Sequence, residues 1–276
     1  MAMELFTTYG TLLIILAAAF GFFMAWGVGA NDVANAMGTS VGSKALTIKQ
    51  AILIAMVFEF AGAYLAGGEV TSTIRKGIVD AEVFHDSPDL LVFGILSALL
   101  AAGTWLMIAS FMGWPVSTTH SIVGAIVGFA AVGVSTDAVN WTKVSTIVAS
   151  WVVSPVIAGT ISFAIFRSVQ HLILIQDDPF AKAKQYAPMY MFAVGFLMAM
   201  VTLLKGLKHV FKDIGITLSF GENAMVAVVF GILVAMLGTY LLTKVERDES
   251  KEEDNRFYNV EKVFAVLMIF TACSMA

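Results

Sequence analysis

The chain has 276 residues, of which 59% are hydrophobic and only 13% are charged. About a quarter of the residues in a soluble domain are charged, so this composition excludes such a domain and predicts an all-α polytopic membrane protein. The net charge is −4, and the sequence has no stripe of basic residues, which argues against a nucleic-acid partner. The single cysteine, Cys273, excludes an internal disulfide and a metal site built from several cysteines.

The first apolar run, residues 10–28, is long enough to cross a bilayer and leads into a polar segment at residues 29–47. Four polar residues of this segment share one face of a helix, because they follow one another at spacings of three and four. They are Asn31, Asp32, Asn35 and Thr39. Their oxygens suit a small hard cation, and the neighbouring glycines permit local unwinding that would add carbonyl oxygens. We therefore predict a sodium site here.

A second span is predicted at residues 50–68, with Glu59 near its middle. A carboxyl group at that depth is costly in lipid, so Glu59 should face protein or a water-filled cavity. Direct ligation of the cation and a structural hydrogen bond between helices are equally good interpretations. The mixed charges of residues 69–88 predict an aqueous loop, and Pro88 should begin the next helix.

A helical hairpin is predicted at residues 90–133. Residues 90–112 form a full-length apolar helix, which the sequence Gly-Trp-Pro at 113–115 breaks. The next apolar stretch, residues 122–134, is too short to cross a bilayer alone, so the polar tip of the hairpin should lie at membrane depth. Irregular backbone at that depth must be buried in protein or line a cavity, and it commonly marks a transporter's binding site.

The hairpin tip carries Ser117, Thr118 and Thr119 at the predicted start of its second helix. Their hydroxyls, together with the unpaired N–H groups and positive dipole end of that helix, can hold an anion. Plain N-capping by Ser117 and Thr118 is the alternative. His120 is a candidate proton carrier or gate, although a neutral histidine that holds the tip is the better interpretation.

The predicted cation and anion sites depend on each other electrostatically. Asp32 and Glu59 have no basic partner within the predicted spans except Lys44 near the boundary. A buried unpaired carboxylate is strongly unfavourable, so a cation must come from solution. An anion near these carboxylates would be repelled unless sodium ions or protons came with it. This argument predicts coupled transport of an anion and a cation.

The remaining sequence predicts further membrane spans that act as a scaffold, followed by a charged connecting loop. Spans are predicted at residues 144–166, 188–204 and 223–243, with a polar loop at 167–187, and together they make residues 134–243 a scaffold region. Residues 244–259 carry dense mixed charge and are predicted to be a loop between two halves. Residues 260–276 form an apolar helix that stops without a polar flank, so we interpret it as the truncated start of a second half.

Three stretches carry a resemblance to a known family. They are Gly29-Ala-Asn-Asp-Val-Ala-Asn-Ala with Gly38-Thr-Ser-Val-Gly-Ser, Glu59-Phe-Ala-Gly-Ala, and Trp114-Pro-Val-Ser-Thr-Thr-His-Ser. Together they resemble the signature of the inorganic phosphate transporter (PiT) family of ion-coupled phosphate symporters. The resemblance covers most of residues 20–133 and is mostly hydropathic beyond them.

This resemblance implies an inverted-repeat secondary transporter with interrupted helices and a re-entrant hairpin, importing inorganic phosphate with sodium or protons by alternating access. Residues 1–133 would be the transport core of the first half. Phosphate would contact Ser117, Thr118, Thr119, Asn31 and Asp32, and sodium would be bound by Asp32, Asn35, Asn31, Thr39 and Glu59.

The family carries its signature twice, once in each inverted half. We therefore expect the polypeptide to continue past Ala276 into a second copy, and the 276-residue piece alone not to transport. We also expect a homodimer in the cell (plasma) membrane, with inorganic phosphate, sodium ions and the lipid bilayer as its partners. Sodium is the expected coupling ion, a proton is the alternative, and no organic cofactor is expected.

Other functions fit parts of the same sequence. A permease for sulfate or another oxyanion would use the same anion-binding tip, and an anion channel or a nutrient-sensing receptor that resembles a transporter would use the same spans. An enzyme is not expected. The sequence shows no metal-ligand spacing, and no nucleophile, base and orienting group can be assigned on these spans.

Overall fold

The computed structural model describes residues 2–79, 81–84, 87–207, 210–211, 215, 218–252 and 255–275. Nine α-helices fall within these ranges: α1 Ala2–Gly42, α2 Ile48–Gly77, α3 Pro88–Met112, α4 Thr118–Gly133, α5 Trp141–Val169, α6 Pro179–Val201, α7 Phe220–Thr243, α8 Glu249–Glu252 and α9 Tyr258–Met275. Two π-helical turns, Gln170–Leu174 and Thr202–Gly206, extend α5 and α6. Extended pairing in the described ranges is limited to an isolated bridge between Val79 and Val139.

Five helical segments among the described residues are long and apolar enough to cross a membrane. They are Thr7–Gly42, Pro88–Met112, Trp141–Leu174, Pro179–Gly206 and Phe220–Thr243. The predicted all-α polytopic membrane protein is thereby confirmed. The predicted span at residues 50–68 is helical throughout but is not one of the five.

The segment 29–47, which was predicted to be helical, is a helix to Gly42 and turns at residues 43–46, where Lys44 has a φ of 60°. Two other predicted boundaries were wrong because helices continue further than the hydropathy indicates. Helix α2 continues to Gly77, so residues 69–77 are not a loop. The polar loop predicted at 167–187 is reduced to residues 175–178. Polar side chains at a helix end can extend into water, so their presence does not end the helix.

The chain divides into two compact units. Within the described ranges, the first contains residues of Met1–Asn35 and Val70–Val153, and the second contains residues of Ala36–Glu69 and Ser154–Ala276. Helix α1 therefore contributes its longer part to the first unit and its last turns to the second. The domain boundaries predicted from sequence, which follow chain order, stay a prediction.

In the first unit, the predicted hairpin is formed by α3 and α4. Its core includes Ala98 and Ala102 on α3 and Ile122, Val123 and Ile126 on α4, all of which are buried. Helix α3 ends at Gly113, whose left-handed φ of 69° suits a residue without a side chain, and the chain restarts as α4 at Thr118. The predicted break at 113–115 is confirmed.

Glycines let helix α3 of the first unit approach α4 and α1 closely. Gly94 on α3 lies directly under the Phe129 ring of α4, and a Cβ at position 94 would overlap that ring. A Cβ at Gly103 would lie 2.7 Å from the Phe23 ring of α1. Backbones in contact through such residues gain dispersion energy, which is the main source of helix association in lipid.

We expect Gly94→Val to destabilise the hairpin, because its side chain would overlap Phe129 and overpacking costs about 1–3 kcal/mol. The thermal unfolding midpoint of the purified protein should fall. Gly128→Val is the matched control, since a Cβ at Gly128 meets open space on the same hairpin. Adding Phe129→Ala to Gly94→Val should restore part of the loss. Equal midpoints for the two glycine variants would contradict this packing.

In the second unit, α6 and α7 pack through glycines, and α9 packs on α6. A Cβ at Gly195 of α6 would lie 2.9 Å from Val234 of α7. Met191, Leu242 and Val263 belong to the buried core that these helices share. This close packing explains why the predicted scaffold region is rich in small and flexible apolar residues.

The predicted charged loop 244–259 follows a defined path where it is described; residues 253 and 254 lie outside the described residues. Asn259 is fully buried, and its amide bonds both backbone groups of Asp248 at 2.9 and 3.2 Å. The Lys184 ammonium donates to the Val245 carbonyl at 2.6 Å. Asp178 caps α6, and the hydrogen bond from the Ala181 N–H lowers the pKa of its carboxyl group. The charge and hydrogen bond of Arg247 lower this pKa further.

Candidate functional site

The predicted polar face of α1 is present in the structure. Asn31 is buried, Asp32 is half-buried and Asn35 is exposed. The Asn35 amide donates to the Asn31 carbonyl oxygen at 3.4 Å, as the four-residue spacing predicts. Because the segment stays helical to Gly42, residues 29–42 do not show the local unwinding that would add carbonyl oxygens to a cation site.

The break of the hairpin docks onto this face through Asn31. The Asn31 amide nitrogen donates to the Trp114 carbonyl at 3.0 Å and lies 3.5 Å from the Ser110 hydroxyl oxygen. The N–H of Val116 donates to the Asn31 side-chain oxygen at 3.2 Å. The polar face of α1 and the break at 113–115 therefore meet within the first unit.

Asp32 and Thr118 make the second contact between α1 and the hairpin. The Thr118 hydroxyl donates to the Asp32 carboxylate oxygen Oδ2. A residue predicted to bind sodium is thus joined directly to one predicted to bind phosphate. Hydrogen bonds to a carboxylate are among the stronger ones in proteins.

The hairpin tip has the geometry of a helix start. Ser117 is the N-cap of α4, and its hydroxyl oxygen accepts the N–H of His120 at 3.3 Å, so the capping interpretation holds for Ser117. Thr118 contacts Asp32 instead of capping. Thr119 is exposed, and its hydroxyl has no partner among the described residues. The tip therefore keeps an available hydroxyl next to the first-turn N–H groups of α4.

His120 packs against an aromatic ring. Its imidazole lies 3.8 Å from the Trp151 ring of α5, measured between ring centroids, with 36° between the two planes. Both residues belong to the first unit. This contact supports the interpretation that His120 holds the tip, and it does so through ring packing.

The other two predicted sodium ligands lie in the second unit. Thr39 is exposed on the last turns of α1, and Glu59 is half-buried on α2. The first unit alone therefore brings together Asn31, Asp32 and Asn35 with the hairpin. The assignment of all these residues to sodium or phosphate stays a prediction.

Two features of the site were not predicted from sequence. One is the docking of Asn31 on backbone groups of residues 114 and 116, which no side-chain pattern reveals. The other is a cavity of about 310 Å³ beside the Asn31–Ser110 contact. It is lined by Phe23, Trp26, Gly27, Ala30, Met107, Ser110 and Phe111. The i, i+3, i+4 and i+7 spacing on α1 indicates a shared face, but not that α3 covers it.

Comparison with known proteins supports one family. The model of the phosphate transporter family matches residues 28–276. A provisionally named phosphate permease of Haemophilus influenzae is 49% identical over 274 residues, which cover 99% of this chain and 64% of that protein. Inorganic phosphate transporter 2-1, chloroplastic, of Arabidopsis thaliana is 39% identical over 284 residues, which cover 98% of this chain and 47% of that protein.

A solved structure described as the sodium-dependent phosphate transporter is 36% identical to the chain, with a TM-score of 0.81. The match covers 96% of this chain and 63% of the solved one, so this chain spans less than two thirds of the length of each of these relatives. These matches agree with the expectation that the chain belongs to a transport protein and not to an enzyme. The chain belongs to the phosphate transporter family.

Proposed function

We propose that this chain forms part of a secondary active transporter that imports inorganic phosphate with sodium by alternating access across the plasma membrane. The observation that carries the proposal is the hydrogen bond from Thr118 to Asp32. It joins the carboxylate suited to a cation to the hairpin tip suited to an anion. The names of the relatives support phosphate as substrate, and the name of the solved relative supports sodium.

The proposed binding sites follow from the chemistry of the site. Sodium is bound by Asp32 and Asn35. The sequence-based assignment of Thr39 and Glu59 as further sodium ligands stays a prediction. Phosphate is bound by the hydroxyls of Ser117, Thr118 and Thr119 and by the first-turn N–H groups of α4. Asn31, which the sequence assigns to both ions, belongs to neither of these two sites, because its amide bonds the backbone of the hairpin break.

Coupling follows from charge. A phosphate about 4 Å from the Asp32 carboxylate would be repelled by about 4 kcal/mol per pair of unit charges at an effective dielectric constant of 20. A sodium ion on Asp32 cancels this repulsion. It also competes with Thr118 for the carboxylate oxygens, which leaves the Thr118 hydroxyl able to donate to phosphate. Binding of either ion therefore favours binding of the other.

Protonation of Asp32 would cancel the same charge, so a proton is the second candidate coupling ion. A direct role for His120 in carrying that proton is less well supported, because its ring packs on Trp151. We also propose that the transporter acts as a homodimer, in keeping with the symmetric assemblies common among such proteins.

Uptake of radiolabelled phosphate by the full-length protein in proteoliposomes tests the function. We expect concentrative uptake that depends on an inward sodium gradient and is not competed by sulfate. Uptake that follows only a proton gradient would replace sodium by protons. Equilibration without concentration would indicate a channel, and stronger competition by sulfate than by phosphate would indicate a sulfate permease.

A further inference from the structure

The Asn31 side chain is fully occupied by protein. A primary amide can donate two hydrogen bonds and accept two. The Asn31 nitrogen faces the Trp114 carbonyl and the Ser110 hydroxyl, and its oxygen faces the N–H of Val116 and the Asn35 amide. The residue is only 5% exposed. Both polar atoms of the Asn31 amide therefore have protein partners, and the shorter contact of each is a backbone group of the hairpin break.

We propose that Asn31 is a positioning residue that locks the hairpin tip onto α1, and that it binds neither sodium nor phosphate. The Asn31 amide offers hydrogen-bond donors and acceptors, and the irregular backbone of the hairpin break needs both. Trp114 N–H already bonds the Ala109 carbonyl, and Pro115 has no N–H. The Trp114 carbonyl and the Val116 N–H are among the groups that the break leaves without a helical partner, and the Asn31 amide supplies one donor and one acceptor for these two.

Other side chains of similar size cannot replace this amide. Aspartate lacks the N–H and would place a charged oxygen against the Trp114 carbonyl oxygen. Leucine fills the same space but leaves both backbone groups unpaired, which is costly where water is excluded. The signature therefore needs an amide at position 31 for a reason distinct from the carboxylate at position 32.

This lock also sets the geometry of the adjacent contact. Asn31 and Asp32 are consecutive on α1, while Val116 and Thr118 are two residues apart at the tip. Fixing Val116 to Asn31 therefore holds Thr118 where its hydroxyl reaches Asp32. The inference rests on the proposed function only for which ions this arrangement serves.

Hydrogen exchange at the Val116 amide tests the lock without any transport measurement. In the wild-type full-length protein, we expect slow exchange at Val116 both without ions and with sodium and phosphate present, because Asn31 stays bound to the backbone. In Asn31→Leu, Val116 should exchange about tenfold faster or more, as expected for the loss of a bond worth about 1.4 kcal/mol. Asn31→Asp keeps an oxygen that can accept the Val116 N–H, so its Val116 exchange should rise only as far as repulsion from the Trp114 carbonyl displaces that oxygen.

Ser110→Ala is the matched control. The Ser110 hydroxyl donates to its own helix at the Leu106 carbonyl and is only a distant acceptor for Asn31, so its removal should leave Val116 protected. Phosphate uptake then separates the two roles. A ligand at position 31 would keep uptake in Asn31→Asp, whose carboxylate can still bind a cation, whereas a positioning residue loses maximal uptake rate in both Asn31→Asp and Asn31→Leu.

Three results would overturn the inference: release of the Val116 amide when sodium is added to the wild-type protein, unchanged Val116 exchange in Asn31→Leu, or retained uptake in Asn31→Asp. The wild-type measurement decides the question even where a variant does not fold. If Val116 protection depends on Asn31 in a protein that does not transport phosphate, the proposed function is wrong and the positioning role stands.

Discussion

Asp32→Asn should lower sodium-driven phosphate uptake at least about tenfold, equivalent to about 1.4 kcal/mol of lost stabilisation. Asparagine keeps the size of the side chain and an oxygen that can accept the Thr118 hydroxyl, so the hairpin should stay docked. It removes the negative charge that attracts the cation. Initial uptake rates at several sodium concentrations, normalised to protein amount, measure the effect.

A neutralised carboxylate outside the site is the control for Asp32→Asn. Asp137 lies exposed in a short 3-10 turn, Thr136–Ala138, of the same compact unit. Asp137→Asn should transport at the wild-type rate. Unchanged uptake and unchanged sodium dependence in Asp32→Asn would show that Asp32 serves only to hold Thr118, and the cation site would have to lie elsewhere.

Replacing the three hydroxyls of the hairpin tip, Ser117, Thr118 and Thr119, by alanine or valine should raise the phosphate KM steeply or abolish uptake. Hydrogen bonds from hydroxyls to an anion contribute about 1.5–3 kcal/mol each, which corresponds to about tenfold or more per hydroxyl. Sodium binding measured alone should be affected less. A triple variant with wild-type phosphate affinity would move the anion site away from the tip.

The structure allows a sharper single substitution. Thr119 has no partner among the described residues, so Thr119→Val should raise the phosphate KM without loss of stability, and Thr119→Ser should stay close to wild type. Ser117 also caps α4, and its loss should cost about 1 kcal/mol of stability as well. Thr160→Val is the control, because the Thr160 hydroxyl bonds only its own helix at Val156.

Most of the architecture follows from sequence because it depends on local properties. Apolar length identifies the spans, and Gly-Trp-Pro at 113–115 ends a helix through the left-handed glycine and the missing N–H of proline. The spacing of Asn31 and Asn35 predicts their shared face. Helix ends are less well predicted, as at Gly77, because a charged residue can end a helix or extend from it into water.

Only the tertiary structure shows which groups form hydrogen bonds with the site residues. Sequence gives Asn31 and Asp32 the same character, as polar residues on one face beside a possible ion. Folding gives them different roles, because the hairpin break leaves one backbone donor and one backbone acceptor beside Asn31 and brings the Thr118 hydroxyl to Asp32. Backbone groups are the same in every residue, so no residue pattern marks where they need a side-chain partner, and that need is decided by packing between segments more than eighty positions apart.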